Sequence, residues 1–431
     1  MSGNNLKRYF QFFLIVLAAG AIYPVIYLRT NYQVTILEVF GLTSSDLNNF
    51  YSFLGLAYVI GYIPSGILSD RFSAKWLIST SLAGTAFCGF WFATVPDISQ
   101  VRIIFFLWGF FSVFTFWSAH MKLVKILARS SEEGRFFGIL DGGRGVVEAL
   151  MGTIGLAVFA AILGSSTALA TKTTALVSVI NLYSAIVMAC AVLIAILVDS
   201  DQKLTEHEEH AGERSEAEKF HFRSIGKLLI NGNVYLMGSV IFMGYATFWT
   251  VYYLGGFLQT KVGVDAVTVG TITTIVLWMR PVGGFIGGFL ADRIGRPQTV
   301  AGAVVGAAVL LILLTMLPIT SVKTFYVVIV LLGFFLYAIR GTYWSLLGQC
   351  GIDAVLMGTA IGVISFIGYL PDIILPQLNT YLTATFGEVG GYDAYFLVSA
   401  GFALLGAVFA LIYGRINGRS SHVEPKTILE S

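Results

Sequence analysis

GYIPSGILSDRFSAK at residues 61–75 returns as GGFIGGFLADRIGRP at residues 283–297, 222 positions further on. Gly61 and Gly66 fall on Gly283 and Gly288, and Asp70-Arg71 falls on Asp292-Arg293. Phe40-Gly41-Leu42 lies over Val262-Gly263-Val264 at the same offset, and WGFF (108–111) lies over LGFF (332–335) at an offset of 224. Two homologous halves repeated in the same sense imply a membrane carrier with a site near the bilayer midplane.

Composition agrees. Of 431 residues, 56% are hydrophobic and 12% charged, and the mean hydropathy is +0.81. Soluble domains carry about 25% charged residues, so a soluble enzyme is excluded. A net charge of +2 lacks the basic excess of nucleic-acid binding proteins. Cys88, Cys190 and Cys350 form no disulfide framework or metal spacing. The five histidines supply no nucleophile–base or metal pattern, and no phosphate loop of a nucleotide-driven pump is present. No enzyme activity, metal or cofactor is expected. The start, MSGNNLKRYF, leads into an apolar stretch without a cleavage site and reads as a retained first span.

A spanning helix needs about 20 apolar residues. Hydropathy places twelve such spans, over 9–36, 47–68, 76–95, 102–127, 133–162, 174–198, 233–258, 266–290, 298–317, 323–348, 357–385 and 394–414. The expected architecture is an all-α integral membrane protein of two pseudo-symmetric six-helix bundles, 1–198 and 233–431, the latter ending in a short tail. A polar linker at 199–232 joins them; its histidines His207 and His210 read as solvated. Lys7, Arg8, Arg71, Lys75, Lys125, Arg129, Arg135, Arg293, Arg296, Arg415, Arg419 and Lys426 fall on the side of the termini and linker. Arg102, Lys172, Lys261 and Lys323 fall on the other. The positive-inside bias therefore puts both termini in the cytoplasm, with the chain in the cytoplasmic (inner) membrane.

Each ionisable group within a span costs ~2.5–3.5 kcal/mol on insertion scales if it faces lipid. The groups are Arg29, Lys122, Asp141, Arg144, Glu148, Arg280, Arg340 and Asp372. They must face a cavity or one another, and the third, sixth, ninth and twelfth spans contain none. Asp141, Arg144 and Glu148 share one helix stripe. On one reading they neutralise Arg144; on the other, Glu148 or Asp141 exchanges a proton. Glu148 aligns with Asp372 at offset 224, so each half holds one carboxylate at equivalent depth, and Pro371 breaks the helix ladder beside Asp372. Arg29, Arg280 and Arg340 have only Asp372 to offset them. A guanidinium fork matches carboxylate, phosphate or sulfonate oxygens, so these three are the candidate anion site. Tyr58, His120, Trp249 and Tyr369 are candidate pocket residues, and Lys122 reads as a snorkelling side chain.

The repeated segment resembles the loop motif of the major facilitator superfamily, Gly-x-x-x-Asp-Arg-x-Gly-x-Arg/Lys. Gly66, Asp70, Arg71 and Lys75 carry the first copy, with Ser73 in place of the later glycine. Gly288, Asp292, Arg293 and Arg296 carry the second, which keeps Gly295. Tyr27-Leu28-Arg29, Gly358-Thr359-Ala360 and Gly368-Tyr369-Leu370 resemble the organophosphate:phosphate antiporter branch. Gly134 to Gly145 resembles its YihN-type members. The resemblance implies that the third, sixth, ninth and twelfth helices are peripheral. It also implies that Asp70 latches the start of the eleventh helix and Asp292 that of the fifth. Ser130-Ser131-Glu132-Glu133 fits a capping box at the latter. The expected function is alternating-access transport of a small organic anion by a monomer, with protons as coupling ion. Anion exchange and a transporter-like sensor are the alternatives.

Overall fold

The computed structural model describes residues 3–128, 133–200, 230–350 and 357–417, and its elements there are helical. The first half contains α1 (Gly3–Ala21), α2 (Arg29–Phe40), α3 (Ser44–Arg71), α4 (Ala74–Phe92), α5 (Ile98–Gly109), α6 (Trp117–Leu127), α7 (Glu133–Leu163) and α8 (Leu169–Leu197). The second contains α9 (Gly232–Phe248), α10 (Ala266–Ile294), α11 (Arg296–Met316), α12 (Val322–Thr342), α13 (Met357–Gly368) and α14 (Pro371–Asn417). Most of the linker, the capping-box serines and the tail beyond Asn417 lie outside the described residues, as does the side chain of Asp70.

The repeat is visible in backbone geometry. Gly41 and Gly263 both take left-handed conformations, with φ of 62° and 75°, where a glycine meets no Cβ penalty. Two residues after each, Thr43 and Asp265 cap α3 and α10. Thr43 and Asp46 form a reciprocal capping box, while Asp265 accepts from the amides of Val267 and Thr268, both at 3.0 Å. Gly61 approaches Val113 and Phe114, and Gly283 approaches Phe334 and Ala338. Each copy thus uses the same glycine to bring the same two helices close.

Five expected spans are not continuous helices. The first breaks between α1 and α2 around Pro24, and the fourth passes through a π-helical turn at Phe110–Phe114. The seventh becomes irregular from Trp249 to Val262, and the tenth ends in a 3-10 turn at Tyr343–Gln349. The eleventh breaks between Gly368 and Pro371. Hydropathy measures apolar length and is blind to backbone angle, so these breaks escaped it; at Pro24 and Pro371 the missing N–H removes a ladder bond. By contrast α4, α8 and α11 run unbroken. The segment labelled α14 is two helices that meet at Gly387, where φ is 75° and ψ 172°.

Within the first half, α1 packs on α7 and α8, α3 on α5, and α4 on α8; within the second, α10 packs on α12, α11 on α14 and α9 on α14. The halves meet where α3 crosses α14 and α7 crosses α10. Large apolar side chains cover the outside, including Ile196, Phe285 and Met316 at 71%, 79% and 75% exposure. Water does not tolerate such a surface; lipid does. Among the described residues, eight helical stretches are long and apolar enough to cross a membrane.

Candidate substrate cavity

The helix breaks converge on one cavity of about 960 Å³, its open mouth included. Tyr23, Tyr27 and Leu28 reach it from the break between α1 and α2, and Tyr252 from the irregular segment after α9. Arg144, Glu148, Arg280, Arg340 and Asp372 are its charged lining. The remaining wall is largely tyrosine, with Tyr27 stacked on Tyr252 at 4.7 Å between ring centres.

Arg280 is not the uncompensated cation expected from sequence. Its Nη1 pairs with Glu148 Oε2, and its Nη2 lies 3.3 Å from Asp141 Oδ1. Both carboxylates stand on α7 and Arg280 on α10, so this ion pair joins the halves. Gly145 makes it possible: a Cβ there would lie 2.9 Å from Arg280 Cγ and Cδ, across the path of the stem. The neighbour-neutralised reading of Arg144 is corrected at the same time. Asp141 and Glu148 turn to Arg280, and Arg144 lies over the Tyr23 ring at 5.2 Å.

Arg340 has a matching setting, 4.8 Å from the centre of the Phe248 ring and 5.5 Å from that of Tyr245. Neither Arg144 nor Arg340 makes an ion pair among the described residues. Arg144 Nε and Arg340 Nη1 are buried without a hydrogen-bond partner there. Rings offer a cation part of what water would but leave these N–H groups unmet. Asp372, at the break before α14, accepts from Tyr245 Oη at 2.7 Å and Trp249 Nε1 at 2.8 Å, both through Oδ1.

The other sequence candidates divide. Tyr58 and Tyr369 line the cavity, Tyr369 accepting from Trp344 Nε1 at 3.0 Å. Trp249 acts behind the wall by holding Asp372. His120 is fully buried outside the lining, its Nδ1 3.2 Å from Phe116 O and its ring stacked on Phe116. Lys122 donates to Ser69 O at 2.6 Å, at the end of α3. Among the motif residues, Gly66 and Gly288 sit near the terminal ends of α3 and α10; Arg71, Asp292 and Arg293 are exposed there. Lys75 lies 5.4 Å from the Trp76 ring centre. Arg296 donates to Ser345 O at 2.9 Å, closing the turn after α12.

Arg29 is not in the cavity lining; it lies towards the far end of the molecule, opposite the termini. It is 1% exposed, and its guanidinium sits between the rings of Tyr51 at 4.8 Å and Tyr253 at 4.4 Å. Its donors meet Gln33 Oε1 at 3.1 Å and Asn48 Oδ1 at 3.2 Å. Asn48 also accepts from Tyr253 Oη at 3.2 Å and donates to Asn379 Oδ1 at 2.8 Å. Gln33 donates to Tyr392 Oη at 2.7 Å, and Gln377 to Asn49 and Ser52. The bonds of Tyr253, Asn379, Tyr392 and Gln377 cross between the halves at the far end. Charges and aromatic side chains were the sequence candidates, and Asn48, Gln33 and Asn379 were missed; amides within apolar spans were the available signal. The lining tyrosines Tyr23, Tyr27, Tyr62, Tyr245, Tyr252 and Tyr337 were also missed, because 20 tyrosines give no local pattern.

A helical membrane protein with a repeat in two halves and a polar cavity where they meet is, as a class, a carrier. The sequence profile of the Major Facilitator Superfamily matches residues 9–376, and the chain belongs to that family. It is thus a secondary transporter of a small-molecule substrate across a membrane, and not an enzyme. It is 27% identical to the inner membrane protein YqcE of Escherichia coli, over 96% of each chain. It is 25% identical to the inner membrane protein YihN of the same organism, over 97% of this chain and 98% of that one. Its fold is similar to that of a bacterial homologue of the human lysosomal transporter Spinster in an inward-facing, unoccupied conformation. That match has a TM-score of 0.75 at 13% identity, covering 96% of this chain and 98% of the other. The nucleoside transporter NupG aligns with a TM-score of 0.67, also at 13% identity, covering 94% of this chain and 99% of the other.

Proposed function

We propose that this chain carries a small organic anion by alternating access, holding it between Arg144 of the first half and Arg340 of the second. The supporting observation is that these two guanidiniums share a cavity and have no carboxylate partner among the described residues. Buried charge is stable when paired, and an anion that engages both halves is the missing partner. The lining tyrosines suit a substrate with a polar body, such as a sugar acid, sulfonate, carboxylate or phosphorylated metabolite. Protons are the coupling ion, with Asp372 and the Glu148 pair as the candidate acids.

The chain is proposed to work as a monomer of twelve spans in two six-helix bundles. The charge bias of the loops supports cytoplasmic termini in a bacterial inner membrane, and the bridged far end is then the outer one. Asp70 and Asp292 are proposed as the cytoplasmic latches of this cycle. Uptake of a mass-detected anion panel into proteoliposomes tests the reading. Arg144→Ala and Arg340→Ala are each expected to remove transport, while correctly inserted protein remains. Wild-type uptake in either variant overturns the assignment. Uptake that depends strictly on a trans anion and ignores pH replaces symport with exchange.

A further inference from the structure

We infer that Asp372 takes up one proton for each monoanion carried, so that substrate and proton cross together without net charge. This rests on the anion reading above and adds to it the valence of the substrate, the proton site and the stoichiometry.

Charges of both signs meet at and beside the cavity. Arg144, Arg280 and Arg340 stand against Glu148 and Asp372 on the cavity wall, and against Asp141, which pairs with Arg280 from outside the lining with its side chain 56% exposed. Three guanidiniums and three carboxylates leave the empty site without net charge. A monoanion seated between Arg144 and Arg340 makes the cluster one charge negative. An apolar surround opposes uncompensated charge, and one proton restores the balance.

The contacts decide which carboxylate takes that proton. Protonating Glu148 dissolves its charge-assisted bond to Arg280 and weakens the link between α7 and α10. Asp372 has no ion pair to lose among the described residues. Its Oδ1 accepts two bonds from neutral donors, Tyr245 and Trp249, and its Oδ2 has no hydrogen-bond partner among the described residues. Arg340 on α12 is the charged group that faces it; the titratable ones are Tyr245 on α9, Tyr252 beyond it, Tyr58 and Tyr62 on α3, and Tyr27 in the α1–α2 break. Phenols keep their protons at neutral pH, so Asp372 is the group among these that can change charge.

In the cycle, an O–H bond forms on Asp372 as a hydronium on the acid side gives up its proton. Water on the other side takes the same proton when the anion leaves. Proton and anion each favour the other's binding, by reciprocal linkage.

The test uses the full chain in liposomes containing a pH dye, with the membrane potential clamped. The probes are three monoanions (gluconate, glucuronate and isethionate) and the dianion glucose 6-phosphate. In the wild type, each monoanion carried should bring in one proton, at a rate indifferent to potential. Asp372→Asn should lose acid-driven accumulation by at least tenfold, retain exchange of the same monoanion at equal pH, and make net uptake sensitive to potential. Asp372→Glu should restore the one-to-one ratio. Monoanion uptake that carries charge in the wild type overturns the inference, whatever the variants do. Coupling lost in Glu148→Gln and kept in Asp372→Asn also overturns it. No flux of any of the four anions in the wild type overturns the anion reading itself, and this inference with it.

Discussion

Arg29 and Arg280 are both buried guanidiniums at the junction of the halves, yet their surroundings differ in kind. Arg280 faces two carboxylates across the α7–α10 crossing. Among the described residues Arg29 meets no carboxylate, but the amides of Asn48 and Gln33 and two tyrosine rings. An ion pair in an apolar medium is expensive to break. Hydrogen bonds from a charged group to neutral amides can be exchanged for water at about 1.5–3 kcal/mol each. The Arg280 pair therefore suits a contact that persists through a cycle, and the Arg29 plug suits one that opens. Arg144 and Arg340 represent a third setting, in which the partner is left for a substrate.

The largest effect on stability should come from breaking the clasp. Arg280→Ala leaves Glu148, 14% exposed on the cavity wall, unpaired, a loss of up to about 3 kcal/mol in stability, the low end for a buried pair. Thermal unfolding in detergent measures it, and adding Glu148→Ala should recover part of the loss. A lone Arg280→Ala as stable as wild type would erase the distinction from Arg29.

Next come the unpaired arginines. Arg340→Ala should weaken anion binding by about 2–5 kcal/mol, the cost of truncating a buried charge contact, with little change in unfolding temperature. Arg29→Ala should do the reverse and alter conformation more than affinity. Equilibrium binding with each variant decides between them.

A smaller effect is expected at Asn48. Asn48→Ala removes the crossing bonds to Tyr253 and Asn379, worth about 1–3 kcal/mol together. It should shift the population toward an open far end by roughly fivefold to a hundredfold. Asn48→Asp sets a carboxylate against Arg29 and should hold that end closed. Spin-label distances between the end of α2 and the start of α10 read both, and identical distributions in the two variants would remove the plug from the gating account.

The smallest lies at the repeat's caps. Asp265 is partly desolvated, but hydrogen bonds from the Thr268 hydroxyl and the amides of Thr268 and Val267 hold its carboxyl below the usual range. Its stabilising contribution is then present above the unfolded-state value near 4 and fades as pH falls through the lower folded-state value. Asp265→Ala should cost about 0.5–2 kcal/mol at neutral pH, and less in acid. Its repeat partner Thr43 does not itself titrate, so the two caps can be compared within one molecule by unfolding at both pH values.

The repeated stretch at 61–75 and 283–297 carried much of the fold, because a duplicated motif in an apolar chain constrains both solvent and symmetry. The ionisable residues within spans were equally legible, since each is too costly to leave in lipid. Their partners were not. Asp141, Arg144 and Glu148 share one stripe in the sequence, and that proximity suggested mutual neutralisation. In the folded chain, the two acids reach a residue more than 130 positions away. Arg29 looked equivalent to Arg280 and Arg340 because helix periodicity gives the face of a residue and not its depth beside a cavity.

Sequence by itself determined the solvent, the duplication, the family and the set of buried charges, all of which follow from local composition and the cost of burying polar groups. Tertiary structure alone decided which arginines are paired, which are left open and which helices break to admit a cavity. Those outcomes depend on distances between halves, and on Gly145 clearing a path that no local pattern announces.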